Sequence, residues 1–277
     1  MPDLKVPVSF EFFPPQTEQG RTNLLRTADR LNAWHPDYFS VTYGAGGSTR
    51  DRTFETIATL SAEGLPATPH FSMGTDSEAS VQQTLIAYQQ MGIRRIVALR
   101  GDIPSGLGTA KRAVRYAVDL VRLIREQFPD SFDILVACYP EMHPDAGSPE
   151  QDLKHFADKV SAGASAAITQ YFYNADAYFD FVARAQQAGV EIPIIPGIMP
   201  ITNYTNLVRF SDACGAEIPR WIRKHLEAYQ NDEASLAAFG CDVVSTLCER
   251  LLAEGAPGIH FYTLNRAVPT LNILERL

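Results

Sequence analysis

The residues best suited to chemistry in this sequence are polar side chains that end or directly follow short apolar runs. In a sheet of parallel strands, such positions meet at one edge, where loops on a rigid scaffold carry binding and catalytic groups. The spacing therefore predicts one site built from many strand ends. Its members are Glu11, Thr42, Tyr43, His70, Arg100, Gly101, Asp102, Tyr139, His143, Gln170 and Arg266.

Glu11 is the most informative of these residues. Strand alternation places Phe10 and Phe12 on one face and Ser9 and Glu11 on the other. If the apolar face meets helices, Glu11 points into the mouth of a barrel beside aromatic residues. Lost hydration would favour its protonated form, which can donate a proton near neutral pH. A solvated strand-end glutamate is the alternative, and the sequence leaves both open.

Two further groups carry charge at the ends of predicted strands. In the first, Arg100 can meet a phosphate or a cofactor carbonyl and Asp102 can face a developing positive charge, unless the two form a salt bridge with each other. In the second, His143 precedes Asp152 and Lys159, which are seven residues apart and share a helical face. This group forms either a partly basic patch or a solvated helix face, and spacing alone favours the solvated face.

Short β-rich runs alternate with segments of helical period along the whole chain. Eight such strands separated by helices predict a closed (β/α)₈ TIM barrel, with an open doubly wound sheet as the alternative. Strands are predicted at 6–12, 38–42, 67–71, 95–99, 133–137, 166–169, 192–196 and 258–261. Helices are predicted at 22–34, 50–62, 78–91, 112–126, 150–162, 175–188 and 204–214, then as two extra helices at 219–228 and 234–254 before the last strand, and finally at 265–276.

Composition narrows the class of protein. With 277 residues, a formal net charge of −8 and no Pro/Gly-rich linker, we expect one domain over 1–277 and no nucleic-acid partner. No run of 18 apolar residues and no signal peptide is visible, so we expect no membrane span and a cytoplasmic location. The four cysteines are dispersed, and no His/Cys/carboxylate cluster has ligand spacing, so no metal is expected.

Six segments at these strand ends resemble methylenetetrahydrofolate reductase, in order and over nearly the whole chain. The resemblance implies a barrel that binds FAD and reduces 5,10-methylenetetrahydrofolate to 5-methyltetrahydrofolate with NADH or NADPH in a ping-pong cycle. It makes the residue matching Glu11 the general acid and the residue matching Asp102 a stabiliser of the iminium cation. The segments are 9–15 (SFEFFPP), 40–45 (SVTYGA), 98–102 (ALRGD), 167–172 (AITQYF), 195–200 (IPGIMP) and 260–266 (HFYTLNR).

The same resemblance assigns further residues by position. Substrate or nicotinamide contacts are implied for Gln170, Asn206, Phe210 and Arg266, and homo-oligomers are implied by analogy. The chain departs from bacterial relatives at Asn206, His155 and Asp158, where Gln, Asn and Arg are usual. FAD contacts are implied for Thr42, Tyr43, Ala45, His70, Arg100, Gly101, Asp102, Tyr116, Tyr139, His143, Ala146, Asp152 and Lys159.

Two alternatives of other kinds stay open. One is a different flavin-dependent barrel oxidoreductase that acts on an amine or iminium substrate. The other is a non-catalytic barrel that serves as a scaffold for a partner. Yellow protein that bleaches with NAD(P)H would exclude the scaffold, and a substrate panel would separate the two enzymes.

Overall fold

The computed structural model describes residues 6–43, 47–73, 76–100 and 116–277. Parallel strands form a single sheet at the centre of these residues. The strands are β1 (Val8–Phe12), β2 (Tyr38–Val41), β3 (Ala67–Ser72), β4 (Arg95–Leu99), β5 (Asp133–Cys138), β6 (Ala166–Thr169), β7 (Ile194–Ile195), β8 (Gly197–Ile198) and β9 (Ile259–Tyr262).

The sheet closes on itself through a strand that is split at Pro196. The strand order is β7-β6-β5-β4-β3-β2-β1-β9-β8, and β7 and β8 are separated in the chain by Pro196 alone. β7 pairs with β6 and β8 pairs with β9, so the two halves of one barrel strand bond to opposite neighbours. The predicted eight-stranded TIM barrel is confirmed, and the open doubly wound sheet is excluded. The predicted seventh strand, 192–196, differs because proline has no N–H to donate to a ladder.

Helices surround the strands in the alternating order that the sequence predicts. They are α1 (Glu18–Asn32), α2 (Gly47–Ala62), α3 (Glu78–Gln90), α4 (Ala117–Gln127), α5 (Pro149–Ser161), α6 (Ala175–Gln187), α7 (Tyr204–Cys214), α8 (Arg220–Ala228), α9 (Glu233–Ala253) and α10 (Ala267–Leu274). The two extra helices before the last strand are α8 and α9. None of the helices among the described residues is long and apolar enough to span a membrane.

Local side-chain chemistry fixes where several helices begin and end. Ser77 Oγ accepts a hydrogen bond from Ser80 N at the start of α3, and Ser148 Oγ accepts from Gln151 N ahead of Pro149 in α5. After α3, Gly92 adopts a φ of 79°, a left-handed conformation in which glycine has no Cβ to clash.

The alternation of each strand sorts its side chains between the helices and the barrel interior. Phe10, Phe39 and Phe261 face the helices, are fully buried and pack ring against ring. One side of the interior is apolar and contains Val97, Leu135 and Ile168. The strands β1, β2, β3 and β9 instead send a polar row inward, which contains Ser9, Glu11, Ser40, Thr68, His70 and His260.

Gly197 is required where the split strand passes β6 and β9. A Cβ at this position would lie 2.2 Å from Thr169 O and 2.6 Å from the Tyr262 ring. We therefore expect Gly197→Ala to lower the free energy of unfolding by several kcal/mol, since backbone must move to relieve the overlap. Urea unfolding measures this loss. In the control variant Ile198→Val, we expect the free energy of unfolding to fall by only about 1 kcal/mol. Equal stability of the two variants would show that the split strand tolerates a side chain at position 197.

Candidate active site

The site centres on the carboxylate of Glu11, which lies inside the barrel between two imidazole rings. Only 8% of Glu11 is exposed. Its Oε2 atom lies 3.2 Å from Nε2 of His70 on β3 and 3.5 Å from Nε2 of His260 on β9. The inward orientation expected from strand alternation is confirmed. The immediate partners are histidines, however, where the sequence suggested aromatic residues.

His260 is itself held by a second polar contact within the barrel. It is fully buried, and its Nδ1 atom lies 2.8 Å from Oγ of Ser9. β1 pairs with β9 in a register that sets Ser9 beside His260 and Glu11 beside Tyr262. Ser9, His260 and Glu11 therefore form a continuous polar chain along the β1–β9 seam.

The charge state of Glu11 differs from the sequence-based expectation. Burial raises the pKa of this carboxyl group, but the charge of His70 and the hydrogen bonds from both histidines outweigh burial and lower the pKa to about 2. Neither of the two alternatives that the sequence left open describes this arrangement, because the carboxyl group is buried and yet its pKa is low enough for it to be ionised at neutral pH. Burial lowers the pKa of His260, and Glu11 offsets only part of that effect.

The turn after β9 fixes the backbone around Glu11. Thr263 Oγ1 donates a hydrogen bond of 2.6 Å to Glu11 O. The Asn265 side chain accepts from Phe13 N and donates to Phe13 O, at 2.8 and 2.9 Å. Asn265 has a φ of 57°, a left-handed conformation that asparagine tolerates better than most residues. These hydrogen bonds hold the turn after β9 against the end of β1, next to Glu11.

A cavity of about 590 Å³ lies beside the carboxyl ends of β4 and β5. It is bounded by the loop after β5 and by one face of α5. Eight of the residues assigned to FAD by resemblance line it, namely Tyr43, Arg100, Tyr116, Tyr139, His143, Ala146, Asp152 and Lys159. Thr42 lies at the end of β2 and His70 beside Glu11. Ala45, Gly101 and Asp102 lie outside the described residues.

Each of three charged side chains that line this cavity has a contact within the protein. Arg100 Nη2 lies 2.7 Å from Asp145 Oδ2, and this ion pair lowers the pKa of Asp145. Lys159 Nζ donates to Ala137 O at 2.5 Å, and burial lowers the pKa of this lysine. Asp152 Oδ2 accepts from the backbone N–H of His143 at 2.9 Å.

These contacts answer one of the questions that the sequence left open and locate two of the departures from bacterial relatives. The group formed by His143, Asp152 and Lys159 is a connected cavity wall, so the favoured solvated helix face is wrong for Lys159 and Asp152. Of the departures from bacterial relatives, Asp158 and His155 line the same cavity, and Asp158 pairs with Lys154 at 2.7 Å.

The four residues predicted to contact substrate are spread over three elements beyond the carboxyl ends of the strands. Gln170 follows β6, and its side-chain oxygen accepts from Tyr171 N at 3.0 Å. Asn206 is exposed in the first turn of α7, where Asn203 caps its N–H. Phe210 is half-buried on the same helix beside the Arg209 guanidinium, and Arg266 is exposed just before α10.

Sequence reasoning missed Ser9 and His260 as members of the site. The signal is present in the run 259–262, where the apolar Ile259 and Phe261 alternate with His260. A histidine on the inward face of the last strand meets the first strand once the barrel closes. Recognising it requires both the alternation and the closure.

The chain is similar to known proteins over nearly its whole length. The family model described as methylenetetrahydrofolate reductase matches residues 3–277. The 5,10-methylenetetrahydrofolate reductases of Salmonella typhimurium and Escherichia coli are each 40% identical over 274 residues, which cover 99% of this chain and 91% of theirs. A probable methylenetetrahydrofolate reductase (NADH) of Oryza sativa is 38% identical, over 97% of this chain and 48% of its own.

Among solved structures, a Clostridium thermocellum protein that binds two copies of 5-methyl-5,6,7,8-tetrahydrofolic acid shares the fold. It has a TM-score of 0.65 and 16% identity, and the match covers 98% of this chain and 93% of that one. At this identity the likeness concerns the architecture alone.

The low pKa of Glu11 makes the stability of the protein depend on pH. The ionised group stabilises the folded state above its ordinary pKa of 4.5, and this contribution is lost as pH falls toward the folded value of about 2. We expect a loss of about 3 kcal/mol of unfolding free energy across that range. Glu11→Gln should lack it, whereas the exposed control Glu254→Gln should retain it. Parallel urea-unfolding results for both variants at pH 5 to 2.5 would contradict the ion pairing.

Proposed function

This chain belongs to the methylenetetrahydrofolate reductase family, and from that premise we propose that it reduces 5,10-methylenetetrahydrofolate to 5-methyltetrahydrofolate with NADH or NADPH. The observation that carries the proposal is the buried Glu11 carboxylate at the carboxyl ends of the strands, beside a cavity wall of basic and aromatic side chains. Reduction of the substrate needs such a group, because its five-membered ring opens only as the departing amine nitrogen takes up a proton.

FAD is the proposed cofactor, and the cavity residues fit it. Arg100, Lys159 and His143 supply hydrogen-bond donors suited to a pyrophosphate, and Tyr43, Tyr116 and Tyr139 supply aromatic surface. Asp158 at the same wall is balanced by Lys154, which limits its repulsion of phosphate. When bound, FAD supplies a hydride carrier that accepts from the nicotinamide and donates to the folate methylene carbon.

Glu11 is the proposed general acid. It transfers its proton to the amine nitrogen as the C–N bond breaks, which leaves a 5-iminium cation on the substrate and a carboxylate on the protein. That carboxylate then stabilises the cation, and Asp102, three residues after β4 in the sequence, is proposed to do the same. Hydride addition to the iminium carbon completes the balance of one proton and one hydride.

The acid role requires a proton source next to Glu11, since its low pKa leaves it ionised at neutral pH. His70 and His260 are the imidazoles in contact with Oε2. The two histidines are proposed to stabilise the carboxylate at rest, and the proton that it must deliver is proposed to reach it through one of them.

Folate and nicotinamide are proposed to bind in turn over the same carboxyl ends of the strands. Gln170 is proposed to hydrogen-bond to either one through its side-chain amide, and the half-buried ring of Phe210 is proposed to pack on them. Arg266, exposed before α10, is suited to the carboxylate of the folate tail. Asn206 is proposed to contact folate, although its side chain is shorter than that of the usual glutamine.

The acid role is tested by Glu11→Gln in the FAD-loaded protein. We expect FAD affinity and anaerobic oxidation of NAD(P)H to stay within about twofold of wild type, because neither needs the proton. Reoxidation of the reduced flavin by methylenetetrahydrofolate should fall roughly 10²-fold or more. Stopped-flow absorbance separates the two half-reactions. Unchanged folate turnover would show that Glu11 is not the general acid. A colourless protein would contradict the proposal that FAD is the cofactor.

The role of Asp102 is tested by Asp102→Asn. Loss of its negative charge should slow the folate half-reaction roughly tenfold or more, since a cation develops only there. The nicotinamide half-reaction should change less. Equal slowing of both half-reactions, together with weaker FAD binding in a titration, would assign Asp102 to flavin binding.

A further inference from the structure

A cavity of about 310 Å³ lies at the amino-terminal end of the barrel, on the side away from the proposed active site. Its walls come from the first residues of several strands. The residues that line it include Ser9, Tyr38, Arg95, Asp133 and Ala166. The cavity therefore touches the same Ser9 that bonds to His260.

The rim of this cavity is charged and reaches solvent. Arg95 Nη1 lies 2.7 Å from Asp37 Oδ2, and its Nη2 lies 3.9 Å from Asp133 Oδ2. The two carboxylates are 48% and 62% exposed. The hydroxyl of Tyr38, which also lines the cavity, is buried and interacts with the Ser9 side chain, and burial raises the pKa of this phenol. A polar, solvent-connected space of this size accommodates water.

The hydrogen bonds from this space toward Glu11 point in one direction. Glu11 is ionised and accepts, so Nε2 of His260 must carry a hydrogen. A neutral imidazole with a hydrogen on Nε2 has a lone pair on Nδ1, which accepts from the Ser9 hydroxyl at 2.8 Å. Each donor in the chain Ser9–His260–Glu11 therefore faces the carboxylate.

A neutral histidine cannot give up its proton alone, because the imidazolate that would remain is too basic to form. His260 can protonate Glu11 only if Nδ1 receives a proton in the same step. Ser9 is the group in contact with Nδ1, and it can donate only if it is resupplied from the cavity side.

From this geometry we infer that Glu11 receives its protons from the amino-terminal end of the barrel, through Ser9 and His260, out of the cavity beneath them. The inference rests on the proposed acid role of Glu11. In each transfer, water in the cavity gives a proton to Ser9 Oγ, Ser9 gives its own to His260 Nδ1, and His260 gives the Nε2 proton to Glu11 Oε2. The hydroxide left in the cavity is neutralised by solvent, and the net change is one proton added to Glu11.

The route explains how the acid is reprotonated while substrate and flavin cover the other end of the barrel. Ser9 and His260 are both buried, so we assign them to proton relay and not to substrate contact. His70, also in contact with Oε2, is the competing source.

The direction of the route is tested first in the unliganded protein. Nitrogen-15 NMR of the histidine rings should show His260 neutral at pH 7 with the hydrogen on Nε2. The Nδ1-protonated tautomer would overturn the route, because Ser9 would then accept from His260. This result does not depend on whether the protein reduces folate.

Kinetics of the FAD-loaded protein test the transfer itself. Ser9→Ala should slow the folate half-reaction about tenfold or more and reduce the number of protons that contribute to its solvent isotope effect. Ser9→Thr keeps the hydroxyl and should restore both. Ser40→Ala removes an equally buried hydroxyl on β2 and should change neither. The nicotinamide half-reaction should be unaffected in all three variants.

Blocking the cavity tests where the protons come from. Ala166→Leu places three extra carbons in the space and should reproduce the Ser9→Ala result with an unchanged melting temperature. Normal folate kinetics in both Ser9→Ala and Ala166→Leu, with slow kinetics in His70→Gln, would transfer the role to His70. A wild-type protein without folate activity would instead overturn the proposed function. The NMR experiment would still test the route, because the tautomer of His260 does not depend on that activity.

Discussion

The structure of the site depends on a buried carboxylate held between two imidazole rings. A single ionised carboxyl group inside a barrel is costly unless hydrogen bonds and opposite charge replace its lost hydration. Glu11 obtains this replacement from His70 on β3 and His260 on β9. The second histidine reaches it only because the barrel closes, which brings the last strand beside the first. Closure thus supplies one of the two imidazoles that lower the pKa of Glu11.

Polar and apolar side chains occupy separate parts of the barrel interior, and this separation reduces the free-energy cost of burying the Glu11 carboxylate. One part of the interior is filled by an apolar plug, which consists of Tyr38, Val97, Leu135 and Ile168. The polar row lies on the strands around β1. Concentrating polar groups along one seam lets each satisfy another, as Ser9 does for His260. The apolar plug and the helix-facing phenylalanines then supply the burial that stabilises the fold.

Much of the fold follows from sequence-local physics. Hydroxyl caps such as Ser77, a proline in the first turn of α5 and a left-handed glycine after α3 mark helix limits that the structure reproduces to within a residue or two. The split of the seventh strand was not predicted, because a proline inside an apolar run shows only that a bond is missing. Which neighbour each half then joins is decided by closure of the whole sheet.

The charge of Glu11 could not be predicted for a related reason. Alternation along β1 correctly places this side chain inward, and burial alone would then raise its pKa. The opposing groups come from residues 59 and 249 positions further along the chain. Only the register between β1, β2, β3 and β9 brings them within 3.5 Å. An ionised carboxylate at rest does not conflict with an acid role, because a row of donors aimed at it can supply the proton when the substrate nitrogen draws it away.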